Sequence, residues 1–103
     1  MIDLKTAVHI IETNFSDDRI IGCMETNRYY GFSLYPRNRK IFEKIRSNIV
    51  PCVDKYTGKI VNILGYDFYD YYDPKTVDCS MFLSREDAII FKEIKSGEIK
   101  FLM

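Results

Sequence analysis

The chain has no tryptophan, one histidine, three prolines and five scattered glycines among its 103 residues. It also lacks net charge, since fifteen basic and fifteen acidic side chains cancel. Each shortage excludes something. Scattered glycine leaves no Gly-rich loop to cradle a phosphate. Zero net charge argues against a dedicated nucleic-acid binder, which carries a basic field. Cys23, Cys52 and Cys79 are odd in number, widely spaced and without a Cys-x-x-Cys pair. Neither a zinc clamp nor a thioredoxin-like redox site is indicated, and small secreted domains normally carry an even disulfide set. Three free thiols fit a reducing compartment. Asp3 and Lys5 interrupt the N-terminus before any apolar run of signal length, and no later run is long enough to span a bilayer. The expectation is a cytoplasmic protein with no membrane partner.

What is present supports one folded domain over residues 1–103. Apolar residues make up 47% and charged residues 29%, enough to bury a core and too apolar for disorder. Asp3 is placed to cap a helix running to about Asn14, with Leu4, Ala7, Val8, Ile11 and Phe15 as its apolar stripe. Ile20 to Thr26 and Tyr29 to Tyr35 read as strands joined by a turn. In the second, Tyr30, Phe32 and Leu34 share one face, and Tyr29, Gly31, Ser33 and Tyr35 the other. Gly31 in mid-strand implies a bulge or the close approach of another backbone. Arg37 to Ser47 is basic and partly helical in pattern. Ile49 to Val53 and Lys59 to Leu64 pair around Asp54-Lys55-Tyr56-Thr57-Gly58, whose Asp and Gly suit a short hairpin with a bulge. Val77 to Phe82 reads as a strand. Ser84-Arg85-Glu86-Asp87 resembles a capping box and opens a helix to about Lys95, and Glu98 to Met103 returns as a short strand. The fold class is α+β: an N-terminal helix on an antiparallel sheet of four to six strands, with a second helix near the C-terminus.

The densest chemistry lies between Tyr66 and Asp73, where five aromatic rings and three carboxylates occupy eight residues. Two readings compete. A strand with aromatics inward and acids outward gives this composition, and the run then extends or borders the hairpin sheet. An exposed run instead gives a contact face, since Tyr supplies rigid amphipathic area and Asp selects a basic partner. Other chemistries are weaker. His9 pairs with a cysteine only if one of three strand-borne thiols gains thiolate character. Asp67, Asp70, Asp73 and Asp78 lack the glycine and the bidentate glutamate of a calcium loop. Arg37, Arg39, Lys40, Lys44 and Arg46, flanked by Tyr35 and Phe42, make the best nucleic-acid candidate. No metal, cofactor or catalytic residue is implied, and the expectation is a protein that is not an enzyme.

Tyr30-Gly31-Phe32, Ile49-Val50-Pro51-Cys52-Val53-Asp54-Lys55 and Thr57-Gly58-Lys59-Ile60 together resemble the YrhB-like immunity proteins of bacterial polymorphic toxin systems. The resemblance covers roughly residues 4 to 70. It departs at Phe32, where the family typically carries Trp, and it leaves the C-terminal helix outside the match. What it implies is a protein that binds and neutralises a cognate toxin domain without catalysis, as a monomer or homodimer. An acidic, Tyr-rich face would suit a nuclease toxin with a basic cleft. The expected contact residues are Tyr66, Asp67, Tyr69, Asp70, Tyr71, Tyr72 and Asp73, with Glu25 and Asp54 as lesser candidates. The alternative is a small nucleic-acid-binding regulator using the basic segment 37–46.

Overall fold

Asp3 accepts a hydrogen bond from the Thr6 N–H at 2.9 Å and so opens the first helix, α1 (Leu4–Asn14). That cap is seen in the computed structural model, which describes residues 1–41, 43 and 47–101. Strands β1 (Asp18–Glu25), β2 (Tyr29–Pro36), β3 (Ile49–Asp54) and β4 (Ile60–Leu64) follow. After them come α2 (Gly65–Tyr71), β5 (Lys75–Thr76), one 3-10 turn (Ser80–Phe82) and α3 (Arg85–Ser96). The strands form one antiparallel sheet in the order β4-β3-β2-β1-β5. Helices and sheet make the α+β fold read from the sequence, with a Cα radius of gyration of 13.0 Å.

The local chemistry explains most boundaries. In the β3–β4 hairpin the Asp54 carboxylate accepts the N–H groups of Tyr56 and Thr57 at 2.8 and 3.3 Å, and Gly58 takes the left-handed φ of 72°. Ser84 accepts the Asp87 N–H at 3.2 Å to open α3, and Gly97 closes it at φ 85°.

The sheet buries both faces. One holds the larger core: Ala7, Val8 and Ile11 of α1, Ile20 and Cys23 of β1, Tyr30 and Phe32 of β2, with Val53, Cys79 and Phe91 of α3. The other holds Met24, Tyr29, Val50, Cys52 and Phe68. Alternation along β2 sends successive residues to opposite cores, as the sequence indicates.

Four expectations are corrected. Tyr66–Asp73 is not a strand: it carries the helix α2, which crosses the second sheet face and anchors itself through Phe68, fully buried there. Gly31 is not a bulge; the register shift falls on β1 between Ile20 and Gly22. What approaches Gly31 is a ring rather than a backbone, since a Cβ there would lie 2.7 Å from Phe68 Cζ and 3.1 Å from Val50 Cγ1. Val77–Phe82 is not a strand: after the two residues of β5, Asp78 accepts the Ser80 N–H at 2.8 Å and bends the chain into the 3-10 turn. Glu98–Phe101 is not a strand either. The Ile99 N–H turns back to the Glu93 carbonyl at 3.1 Å, and Phe101 packs on Tyr35. Leu102 and Met103 lie outside the described residues, as do Phe42, Lys44, Ile45 and Arg46 of the basic segment.

Gly31→Ala should destabilise the protein by about 1–3 kcal/mol, because the added methyl overlaps the fully buried Phe68 ring. Combining it with Phe68→Leu should cost clearly less than the sum of the two single changes. Urea unfolding of the four proteins measures this; strict additivity would show that the two residues do not meet.

Candidate functional site

A seven-residue helix is too short to be stable alone in water, so tertiary contacts must hold α2 in place. Phe68 supplies them by filling the space left above Gly31. The neighbouring rings stack outward from that anchor. Tyr72 meets Phe68 at 6.2 Å and the Tyr29 ring edge-on at 5.4 Å, and Tyr69 meets Phe68 edge-on at 5.8 Å. The Tyr69 hydroxyl donates to Met24 Sδ at 3.2 Å. The remaining surface faces solvent: Tyr66, Tyr69, Tyr71 and Tyr72 are 64%, 56%, 79% and 37% exposed. Of the five rings in the run, one is core and four form a surface.

Asp67 sits in the first turn of α2, where the helix dipole favours a carboxylate. Asp70 and Asp73 do not share that benefit. Asp70 lies near the C-terminal end, which carries no basic residue, and Asp73 follows the C-cap with a left-handed φ of 47°. That backbone position favours glycine. Among the described residues none of the three aspartates makes an ion pair. A helix built only for stability would place lysine or glycine there.

Beside α2 a groove of about 770 Å³ opens where β2 and β3 separate, lined in part by Ser33, Tyr35, Ile49, Pro51, Tyr69 and Phe101. Its origin is a missing donor. Along β3 the Lys55 N–H points to the Arg28 carbonyl of the β1–β2 turn at 2.8 Å, so the strand alternation directs the N–H of residue 51 toward β2 as well. Pro51 has none, and β2–β3 pairing stops at Gly31–Cys52. Sequence reading missed this groove, although the proline in a strand was the available signal.

The other candidates are engaged elsewhere. Asp54 is buried in its turn and paired with Arg28 at 3.1 Å. Glu25 accepts Lys55 Nζ at 2.6 Å, and that ammonium also lies 4.7 Å from the Tyr30 ring centre. Arg37, first of the basic segment, donates to both oxygens of Asp87 at 3.0 and 2.7 Å, while Arg19 Nε reaches the same carboxylate at 2.9 Å. This three-residue junction ties β1, the end of β2 and α3 together. Sequence reading placed Asp87 only as part of a cap. Arg39 and Lys40 are exposed, and Lys44 and Arg46 are outside the described residues.

All three cysteines are free and buried. Burial pushes the Cys52 thiol up to about 12. A hydrogen bond with Cys79, reinforced by burial, raises Cys23 as well. His9 is exposed on α1 and lines a shallow cleft with Lys5, Glu12, Met81, Phe82 and Leu83. Among the described residues no group of three or more His, Cys, Asp or Glu side chains could hold a metal ion. No described helix is long and apolar enough to cross a membrane. No protein-family model, curated protein or solved structure matches the chain.

Burial raises the Asp87 carboxyl, but the hydrogen bonds from Arg37 and Arg19 outweigh it and hold the group below its ordinary value. The Tyr56 N–H lowers Asp54, and Ser80 lowers Asp78. A depressed carboxyl contributes stability that is complete above the unfolded value, about 4, and lost as pH falls through the folded one. Unfolding free energy should therefore be flat near neutrality and drop on the acid side below pH ~4. Asp87→Asn should cost about 3 kcal/mol at neutral pH and flatten that acid-side drop, measured by urea unfolding across pH. An unchanged acid slope would remove Asp87 as its cause.

Proposed function

We propose that the chain is an immunity protein that binds and neutralises a cognate bacterial toxin by direct contact. The contact face is the outer surface of α2 with its C-cap: Tyr66, Asp67, Tyr69, Asp70, Tyr71, Tyr72 and Asp73. The observation that carries this reading is the conflict between what α2 displays and what a short helix needs. Four tyrosines stand in solvent, and two carboxylates occupy the end of the helix where its dipole repels them. Each misplaced charge costs about 0.3–1 kcal/mol. Local rules broken without structural gain mark functional surfaces.

The resemblance over residues 4 to 70 supplies the class of function, and the surface supplies the chemistry of the partner. Unpaired carboxylates favour a basic cleft, such as that of a nuclease toxin, and steer its approach. Exposed Tyr gives contact area at low cost in side-chain entropy. The nucleic-acid reading is less favoured, because Arg37 is already committed to Asp87. Titration with single-stranded RNA and DNA across a salt series separates the two readings, since phosphate binding falls steeply with salt.

Co-expression with the toxin domain encoded beside this gene should yield a complex that survives purification at micromolar concentration and relieves toxicity. No binding in that range would sink the proposal. Asp70→Lys combined with Asp73→Gly should weaken the complex by at least about tenfold. The same pair should leave the free protein as stable or up to about 1 kcal/mol more stable. A variant that loses affinity only because it unfolds would not support the assignment, and thermal melting of the free variant reports that.

A further inference from the structure

We propose that the outer edge of β4 joins two copies of this chain into a symmetric homodimer with one continuous sheet. The inference rests on β4 and is independent of the toxin reading. Across the β3–β4 hairpin the Asp54 N–H donates to the Lys59 carbonyl at 2.9 Å, and the Gly65 N–H donates to the Asn48 carbonyl at 2.6 Å. Antiparallel alternation then turns the backbones of Lys59, Val61, Ile63 and Gly65 toward β3. The N–H and C=O groups of Ile60, Asn62 and Leu64 point the other way, and β4 ends the strand order. Among the described residues no strand pairs with them.

Edges left in this condition are usually blunted by charge, proline or shortness. The opposite edge of the sheet shows all three: β5 has two residues, includes Lys75 and follows Pro74. By contrast β4 reads Ile-Val-Asn-Ile-Leu, five residues with no charge and no proline. Val61 and Leu64 are 37% and 42% exposed along it.

This edge is complementary to itself. With Asn62 on the twofold axis, each outward residue meets an outward residue: Asn62 faces Asn62 of the second copy, and Ile60 faces Leu64. Val61 then lies opposite Ile63, so apolar side chains meet on both faces of the seam. A slip by one residue would offer groups already turned inward to β3. The same register sets Lys59 opposite Gly65 of the second copy, where the acidic helix α2 begins. With Lys59 facing Gly65 and no charge within β4, the seam sets no like charges opposite each other. The two α2 helices do not confront each other, because each runs inward until Phe68 lies over Gly31, two strands from the seam.

Sedimentation equilibrium of the full chain across the micromolar range should give the dimer mass. Asn62→Pro removes one outward N–H and no bond to β3, so it should give a folded monomer with unchanged far-UV circular dichroism. Val61→Lys places two like charges at the seam and should do the same. The amides of Ile60, Asn62 and Leu64 should exchange at least about tenfold more slowly at high than at low protein concentration. A wild-type chain that stays monomeric throughout would overturn the proposal. So would a folded Asn62→Pro or Val61→Lys protein that remains dimeric. Should Asn62→Pro fail to fold, Val61→Lys decides the matter.

Discussion

Phe68 over Gly31 is the contact on which the second sheet face and the helix above it depend. A single missing side chain on β2 leaves room for one ring, and that ring fixes a helix that could not persist alone. Removing a buried Phe costs about 3–5 kcal/mol, more than the intrinsic stability a seven-residue helix can offer. The position of α2 is therefore set by tertiary packing. Tyr69 adds a bond to Met24, while Tyr66 and Tyr71 stand mostly in solvent.

The sheet beneath is divided by two local defects that serve different ends. Gly31 admits the ring and closes the second core. Pro51, one pairing step further along β3, withholds an N–H and lets β2 and β3 part. The groove lies on that parted side and Phe68 on the paired side, with Tyr69 touching both. Because β3 keeps its register with β4 throughout, from Ile49–Leu64 to Val53–Ile60, the defect does not propagate to the edge. The outer strand stays in unbroken register while the interior opens.

Elements whose signals are local were legible in the sequence. Asp3 and Ser84 caps, the Asp54–Gly58 turn and the alternation of β2 are decided within a few residues, and the structure repeats them closely. Residues 66–73 misled for a physical reason. Tyr and Asp are indifferent helix formers, and only Phe68 marks an inward face, so no apolar period exists to read. The cue was instead on another strand, in the absent side chain of Gly31. Val77–Phe82 looked like a strand by composition, yet Asp78 captures the Ser80 N–H and turns the chain. The Arg19–Asp87–Arg37 junction joins residues 50 and 68 positions apart, which no local pattern encodes.

These differences bear on how charge is distributed over the protein. Asp87 is buried and receives two arginines, Asp54 receives Arg28, and Glu25 receives Lys55, so the acids near the core are matched. Asp70 and Asp73 are unmatched, and they sit where a helix end makes a carboxylate least welcome. Zero net charge over the whole chain thus conceals local contrasts: four cations near the core meet internal acids, while α2 carries acids with no basic residue in its last turn. The anchoring of α2 by Phe68 makes that tolerable, since a helix held by a core ring can carry local charge strain of about 1 kcal/mol without unfolding. The acid-aromatic run and the glycine of β2 are best understood together, one as the displayed surface and the other as the condition that lets it be displayed.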